Sequence, residues 1–424
     1  MSATLKTVTL GCKVNQYETE YVREGLERIG FREAVGDERA DLCVINTCTV
    51  TQEGDAKSRQ VIRRLARENP GARLVVMGCY ATRAPEEVAR LPGVSEVVTD
   101  KRELPDLLGR FGVVDIPTGI SRFAHRRRAY VKVQDGCLLR CSYCIIPQVR
   151  PQLYSRPPEP ILDEVRRLVD NGYREIVLTG VHLGHYGVEQ NAGKPKAAWL
   201  RLSHLVDQIA RLPGDFRIRL SSIEATEVTR ELIQVLVDHQ DKVCPHLHIC
   251  LQSGSDRILR LMKRRWSARH FVDRCHLIAT LLPDPALTTD VIVGFPGETD
   301  ADFAETCRVA REVGFSKIHV FPFSARRGTP AAELAEQVPK QVKADRSQQL
   351  TQLAAELQTA YHCRLLGREL RVLVEAGGTD LAPGRQLGTS CRYVPVELSG
   401  TVALQGQLTT AIGRELGKDR LLAP

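Results

Sequence analysis

The chain carries the stretch Cys137-Leu138-Leu139-Arg140-Cys141-Ser142-Tyr143-Cys144. It follows an apolar segment, Tyr130–Val133, that is typical of a buried strand. Three thiolates at a C-x3-C-x2-C spacing can bind three corners of a [4Fe–4S] cube and leave one iron open. A structural zinc site needs four protein ligands, and no fourth is nearby in the sequence. We therefore expect an iron–sulfur site in this loop.

Strand and helix patterns alternate along the region that contains this loop. We predict six short strands, each separated from the next by helical sequence: Tyr130–Val133, Glu175–Leu178, Arg217–Leu220, His246–Leu251, Leu287–Val293 and Lys317–Phe321. A long helix, Lys340–Leu366, closes the region. Six consecutive βα units predict a partial, open version of the eight-stranded βα barrel. Active sites of such barrels lie at the C-terminal ends of the strands, which is where the cysteine loop stands.

The loop resembles the signature of the radical S-adenosylmethionine (SAM) superfamily, C-x3-C-x-aromatic-C, with Tyr143 at the aromatic position. The resemblance implies that the open iron chelates SAM and that one electron cleaves it to methionine and a 5′-deoxyadenosyl radical. Three residues at the ends of later strands, Gly180, Glu224 and Gln252, are candidates for contacts with SAM, together with Tyr143. Each of the three could equally be a turn or cap residue.

The N-terminal region predicts a second cysteine site. Its strands (Thr7–Leu10, Leu42–Asn46, Leu74–Met77) and helices (Tyr17–Ile29, Asp55–Glu68) alternate, which predicts an open parallel sheet. Cys12, Cys48 and Cys79 each follow one of these strands, so they are expected at one edge of the sheet, where ligands of open α/β sheets bind. We predict a second [4Fe–4S] cluster on these thiols; the alternative is three buried or inert cysteines.

The chain resembles the methylthiotransferases, MtaB class. The resemblance rests on both cysteine sets and on three stretches: Thr9-Leu10-Gly11-Cys12-Lys13-Val14-Asn15-Gln16-Tyr17-Glu18-Thr19-Glu20, Leu178-Thr179-Gly180-Val181-His182-Leu183-Gly184 and Leu287-Thr288-Thr289-Asp290. It implies a transferase that inserts a methylthio group at adenine C2 of N6-threonylcarbamoyladenosine, next to the tRNA anticodon. Two SAM molecules are used per product: one methylates a sulfur attached to the cluster at Cys12, Cys48 and Cys79, and the other yields the radical.

Other activities remain open at this point. A methylthiotransferase acting on N6-isopentenyladenosine in tRNA, or on a ribosomal protein, would share both cysteine sets. An iron–sulfur module that binds RNA or carries electrons would not be an enzyme at all. The sequence also departs from the family pattern, with Leu138 and Leu139 where polar residues are usual and Pro151 where glycine is frequent.

The last part of the chain has short strand patterns between glycine-rich turns, Leu370–Glu375, Tyr393–Glu397 and Gln407–Ile412. This pattern predicts a small antiparallel β-barrel and resembles a TRAM domain, a small RNA-binding module. From residue 369 to the end, six Lys/Arg balance six Asp/Glu, so this segment is not basic. The predicted domains are residues 1–117, with the N-terminal cluster, 123–366, the radical SAM domain, and 367–424, the TRAM-like domain.

Composition and charge limit where the chain is expected to act and which partners it can bind. The chain has 424 residues, 43% hydrophobic, and we find neither a secretory signal nor a membrane span, so we expect a cytoplasmic protein. Basic residues cluster at 121–150 (net +6) and 256–274 (net +5), which suits a polyanion, here tRNA. The resemblance adds a flavodoxin- or ferredoxin-like electron donor and a sulfur source. Of the 13 cysteines, seven are predicted to be core or incidental: Cys43, Cys244, Cys250, Cys275, Cys307, Cys363 and Cys391.

Overall fold

A computed structural model of the chain describes residues 3–124, 126–376 and 381–424, with the backbone alone at Ala376. Its N-terminal part is a parallel sheet with helices on both faces. The elements in chain order are β1 (Thr4–Thr9), α1 (Lys13–Arg28), β2 (Arg32–Glu33), β3 (Leu42–Thr47), α2 (Gln52–Glu68), β4 (Arg73–Gly78), α3 (Cys79–Arg83), α4 (Pro85–Ala89), β5 (Val94–Val97) and α5 (Leu104–Arg110). The strand order is β2-β1-β3-β4-β5.

This sheet forms because its central strands are apolar on both faces. β3 is buried along its whole length: Val44 packs with α1 and α5 on one face, and Ile45 packs with α2 on the other. The three predicted strands and two predicted helices are confirmed, with small changes at their ends. The edge strands β2 and β5 are too short and too exposed to give a pattern in the sequence.

The central part is an open βα barrel. Its elements are β6 (Arg128–Asp135), α6 (Ile146–Val149), β7 (Tyr154–Ser155), α7 (Pro158–Asp170), β8 (Glu175–Gly180), α8 (Leu202–Ala210), β9 (Arg217–Leu220), β10 (Ser222–Ile223), α9 (Arg230–Asp238), β11 (His246–Ile249), α10 (Asp256–Leu261), α11 (Ala268–Leu281), β12 (Ala286–Val293), α12 (Asp300–Val313), β13 (Lys317–Pro322) and α13 (Lys340–Arg364). The six predicted strands are confirmed. The third changes partner at Ser221, because β9 pairs with β8 whereas β10 pairs with β11.

The C-terminal part is a mainly antiparallel sheet. It consists of β14 (Glu369–Ala376), β15 (Arg385–Ser390), β16 (Pro395–Ser399), β17 (Leu408–Ile412), β18 (Glu415–Gly417) and β19 (Arg420–Leu422), in the order β17-β14-β15-β16-β19-β18. The pairing of β16 with β19 is parallel, unlike the other pairs. The predicted strand Tyr393–Glu397 starts two residues later, because Tyr393 occupies a turn with φ of +62°.

A buried ion cluster joins the C-terminal sheet to the barrel. Glu175, at the start of β8, pairs with Arg217 and Arg219 of β9. Both arginines also donate to C-terminal carbonyl groups, such as that of Thr389 at 2.7 Å. These contacts lie at the N-terminal ends of the barrel strands, opposite the cysteine loop. Among the described residues, no helix is both long enough and apolar enough to cross a bilayer.

Candidate iron–sulfur sites

The N-terminal thiols come from three loops at the carboxyl edge of the parallel sheet. Cys12 precedes α1, Cys48 follows β3, and Cys79 is the first residue of α3. Burial raises the pKa of the Cys48 thiol, and the neighbouring thiols Cys79 and Cys12 raise it further. Burial also raises the pKa of Cys12, against the nearby Arg150 guanidinium. The sheet topology therefore brings these three cysteines to its carboxyl edge, as we predicted from their positions after the strands.

Gly11 and Asn15 shape this site. Gly11 has φ of +101°, and a Cβ there would lie 3.1 Å from Cys48 Cβ, so the close approach of the two loops requires glycine. The Asn15 amide donates to the carbonyl groups of Leu10 at 2.9 Å and Thr47 at 3.0 Å. One buried side chain thus fixes the loops that carry Cys12 and Cys48.

The barrel thiols lie in the loop after β6. Burial raises the pKa of Cys144 to about 12, and the neighbouring Cys141 and Cys137 thiols add to the rise. Gly136, at the start of the loop, has φ of +78°, and a Cβ there would lie 1.7 Å from the carbonyl oxygen of Gln152. Glycine is therefore required at the entrance of this loop, as it is next to Cys12.

The number of thiols in each set suits an iron–sulfur cube. A structural zinc takes four protein ligands, whereas a cube held by three thiolates keeps one iron open. Cys12, Cys48 and Cys79 would hold one cube, and Cys137, Cys141 and Cys144 the other.

Arg264 joins the barrel loop to two predicted SAM contacts. Its Nη1 donates to Cys141 Sγ at 3.2 Å and to the Tyr143 hydroxyl at 3.2 Å, and its Nη2 pairs with Glu224. Burial raises the pKa of Glu224, an effect that Arg264 opposes. Three predicted site residues are therefore brought together by an arginine that the sequence does not single out as a site residue.

Gly180 and Gln252 lie at the same end of the barrel. Gly180 ends β8, and a Cβ there would lie 2.9 Å from the Gln134 side-chain oxygen. Gln252 is buried and has φ of +67°, which costs a non-glycine residue about 1 kcal/mol. Backbone hydrogen bonds to Asp290 and Ile292 of β12 hold it in this conformation. Such strain is common at functional sites.

Arg150 connects the two cysteine loops. Its carbonyl accepts a hydrogen bond from the Cys137 backbone N–H at 3.2 Å, and its Nη2 donates to Asn15 Oδ1 at 3.1 Å. Glu18 and Asp135 each lie 2.8 Å from its Nη1. Although burial alone would raise it, Arg150 holds the pKa of Glu18 well below its usual range. Arg150 therefore ties the N-terminal domain to the barrel loop, together with Lys132, which also pairs with Glu18 and Asp135.

A pair of histidines beside the barrel loop is not predicted from the sequence. The His182 ring stacks on His185 with centroids 3.6 Å apart, and its Nδ1 lies 3.6 Å from Cys137 Sγ. Burial lowers the pKa of His182, but the neighbouring Cys137 thiol and Glu227 carboxylate outweigh this and raise it to about 9. The available signal is position, because both histidines closely follow the end of β8.

The basic surface is smaller than the charge count predicts. Arg128, Lys132 and Arg150 of the first cluster and Arg264 of the second are largely buried in ion pairs. The cations that remain exposed are Arg122, Arg126, Arg127, Arg140, Arg257, Arg260, Lys263, Arg265 and Arg269. Sequence counting cannot separate these two groups, because burial depends on which strand face a residue occupies.

Two family models match the chain. The model described as "Uncharacterized protein family UPF0004" matches residues 4–100, and the Radical SAM superfamily model matches residues 131–310. The second match includes the loop of Cys137, Cys141 and Cys144. Together with the open barrel, it defines the class as a radical SAM enzyme, which implies a [4Fe–4S] cluster and SAM as cofactors.

Comparison with curated relatives identifies the family within the radical SAM enzymes. The chain is 40% identical over 425 residues, 96% of this chain and 92% of the relative, to "Threonylcarbamoyladenosine tRNA methylthiotransferase MtaB" of Bacillus subtilis (strain 168). It is 34% identical over 389 residues, 87% of this chain and 75% of the relative, to "tRNA-2-methylthio-N(6)-dimethylallyladenosine synthase" of Corynebacterium diphtheriae. The chain belongs to the MtaB class of the methylthiotransferase family.

A solved structure with the same fold is far more distant in sequence. The radical SAM methyltransferase TsrM from Kitasatospora setae superposes with a TM-score of 0.57 at 14% identity, covering 78% of this chain and 75% of that protein. This likeness concerns the fold alone.

Proposed function

We propose that the chain converts N6-threonylcarbamoyladenosine next to the tRNA anticodon to its 2-methylthio derivative, using two [4Fe–4S] clusters and two SAM molecules. One observation carries the proposal: two sets of three cysteines, each shaped by a glycine with positive φ, lie on either side of the buried Arg150. The names of the curated relatives support the nucleoside. The division of the chain at residues 117, 123 and 366 is part of the same proposal.

When bound, the cluster at Cys137, Cys141 and Cys144 would supply the electron that cleaves SAM, and the cluster at Cys12, Cys48 and Cys79 would carry the attached sulfur that is transferred. The protein's own task is to position these groups and to exclude water. Tyr143, Gly180, Glu224 and Gln252 form the proposed SAM pocket at the barrel mouth. The adenine must leave its base stack to reach this mouth.

Two other substrates are kept as alternatives, N6-isopentenyladenosine in tRNA and a ribosomal protein side chain. Identity is higher to the relative named for threonylcarbamoyladenosine than to the one named for dimethylallyladenosine. We further propose that the protein acts in the cytoplasm with a flavodoxin- or ferredoxin-like electron donor and a separate sulfur source.

The test is anaerobic reconstitution followed by product analysis. We expect about eight irons per chain, from two cubes. With dithionite, SAM and tRNA that carries threonylcarbamoyladenosine, mass spectrometry should detect 5′-deoxyadenosine and the 2-methylthio nucleoside. Iron below stoichiometry with one zinc per triad would contradict the cluster assignment. Product formed only on isopentenyladenosine tRNA would replace the substrate.

A further inference from the structure

A cavity of about 370 Å³ occupies the interior of the barrel, a size within the range of small-molecule sites. Lys13, which directly follows Cys12, lines it on the side of the N-terminal domain, and Tyr393 of the C-terminal domain lines it as well. Residues from β6 to β13, including Ser221, His246 and Asp290, complete the wall. The cavity therefore reaches the residue next to Cys12, one of the thiols that we assign to sulfur delivery.

Two lysine ammonium groups line the cavity, that of the half-buried Lys13 and that of Lys317, which is exposed to solvent at the start of β13. Neither the Lys13 nor the Lys317 ammonium forms a hydrogen bond or ion pair with the residues that the structure describes. Two other cations in the wall, Arg128 and Arg219, are balanced by Glu175. Asp290 is the one carboxylate among the described lining residues, and it lies 3.3 Å from a histidine, His248. The site thus has an excess of positive charge.

Two buried polar atoms in the wall also lack partners. His246 is 5% exposed and its Nδ1 has no hydrogen bond, although its Nε2 lies 3.3 Å from Thr288 Oγ1. Ser221 is 7% exposed and its hydroxyl has none either. Buried polar groups in proteins are nearly always hydrogen-bonded, so unpaired ones that line a cavity point to a polar occupant. An apolar group would leave these two buried atoms unsatisfied.

We propose that this cavity binds the carboxylate-bearing N6 substituent of the substrate adenine, with Lys13 and Lys317 on the carboxylate. The inference rests on the proposed function and extends it, since it assigns the specificity for the anionic nucleoside to named residues. A threonylcarbamoyl group carries a carboxylate, a hydroxyl and carbamoyl N–H groups. The carboxylate matches the two lysines. The hydroxyl and the carbamoyl N–H groups match the hydrogen-bonding capacity of Asp290, Ser221 and His246. An isopentenyl group offers none of these.

The test compares two synthetic anticodon stem-loop RNAs that differ only in the substituent, one with the free threonyl carboxylate and one with its carboxamide. Binding to the reconstituted full-length enzyme is measured with SAM present, alongside SAM cleavage and methylthiolation. We expect the wild type to bind the carboxylate RNA about tenfold more tightly than the carboxamide RNA, as one charge-assisted contact allows.

Lys317→Met and Lys13→Met should each weaken binding of the carboxylate RNA about tenfold and leave the carboxamide RNA unaffected. Lys340→Met, which removes an exposed lysine at the start of α13, is the matched control and should change neither. Iron content is measured for every variant because Lys13 adjoins Cys12. Lys317 is remote in sequence from all six cluster cysteines, so it keeps the test decisive if Lys13→Met loses iron.

Equal losses on both RNAs would mean that the lysines hold the phosphate backbone, and unchanged binding of both would mean that the cavity is not used; either result overturns the inference. Failure of the wild type to methylthiolate the carboxylate RNA would instead overturn the proposed function. Equal methylthiolation of the two RNAs would overturn only the inference.

Discussion

The two cysteine sites are built in opposite ways. Cys137, Cys141 and Cys144 lie within one loop of eight residues, whereas Cys12, Cys48 and Cys79 come from three loops across most of the N-terminal sheet. The first depends on one local turn after β6. The second exists only once β1, β3 and β4 are paired in parallel register. A local site can be recognised from spacing, but a dispersed site requires the topology.

Replacing the two sets of cysteines should have the largest effects and should separate the chemistry. The triple variant Cys12→Ala, Cys48→Ala, Cys79→Ala should keep about four irons and still form 5′-deoxyadenosine, but should make no methylthio nucleoside. Cys141→Ala should abolish both products, because two thiolates are too few to hold a cube with one open iron. The measurement is anaerobic turnover with mass spectrometry. Methylthio product from the triple variant would show that the dispersed set is structural.

Arg150→Met should have the next largest effect, because it breaks the connection between the two sites. The substitution removes one of the two cations, Arg150 and Lys132, that Glu18 and Asp135 share, and losing a charged hydrogen-bonding partner costs about 1.5–3 kcal/mol. We expect a lower urea midpoint and loss of iron from both sites. Arg140→Met is the control, since Arg140 is exposed in the same loop and its loss should stay within about 0.5 kcal/mol. Equal midpoints for both variants would contradict the connecting role.

Glycine substitutions test whether each loop needs its backbone conformation. Gly11→Ala and Gly136→Ala place a Cβ 3.1 Å from Cys48 and 1.7 Å from a carbonyl oxygen, on top of the strain of positive φ. Gly112→Ala is the control, since it has φ of +92° and no atom within 4 Å of the added Cβ. We expect the control to lose about 1 kcal/mol of stability and retain its iron. Gly11→Ala should lose iron from the dispersed site, and Gly136→Ala from the local one.

A smaller effect on the free energy of unfolding is expected at acidic pH. It should arise from the ion pairs of Glu18, which lies between the two cysteine sites. Burial opposes ionisation of Glu18, but Arg150 and Lys132 hold its folded-state pKa below the ordinary value of 4.5. The stability it contributes is therefore complete above pH 4.5 and is lost as the pH falls towards the folded-state pKa. Glu18→Gln should flatten the pH dependence of the urea midpoint below pH 4.5. An unchanged slope would mean that the pKa of Glu18 is the same in the folded and unfolded states, which would contradict its stabilisation by Arg150 and Lys132.

Several site residues escaped prediction for one physical reason. Arg264 and His182 contact cluster thiols, yet they lie 123 and 45 residues away from them along the chain. Nothing in the local sequence distinguishes Arg264 from a surface cation, and His182, although it lies in a stretch that carries the family resemblance, has no role that the spacing indicates. Arg128, predicted to be part of a basic surface, is instead largely buried against Glu175 and Glu375. Charge counting gives the sign of a segment but does not tell which strand face each residue occupies.

The sequence by itself determined the alternation of strands and helices, the local cysteine loop and the strand ends after which the dispersed cysteines stand, because period and spacing are properties of neighbouring residues. Only the tertiary structure decided that Arg150 would join the two loops, that Arg264 would pair with Glu224, and that Lys13 would line a cavity in the barrel. Those contacts depend on the packing of one domain against another, which no local pattern encodes. The candidate cluster cysteines could therefore be predicted from the sequence, whereas the side chains that surround them could not.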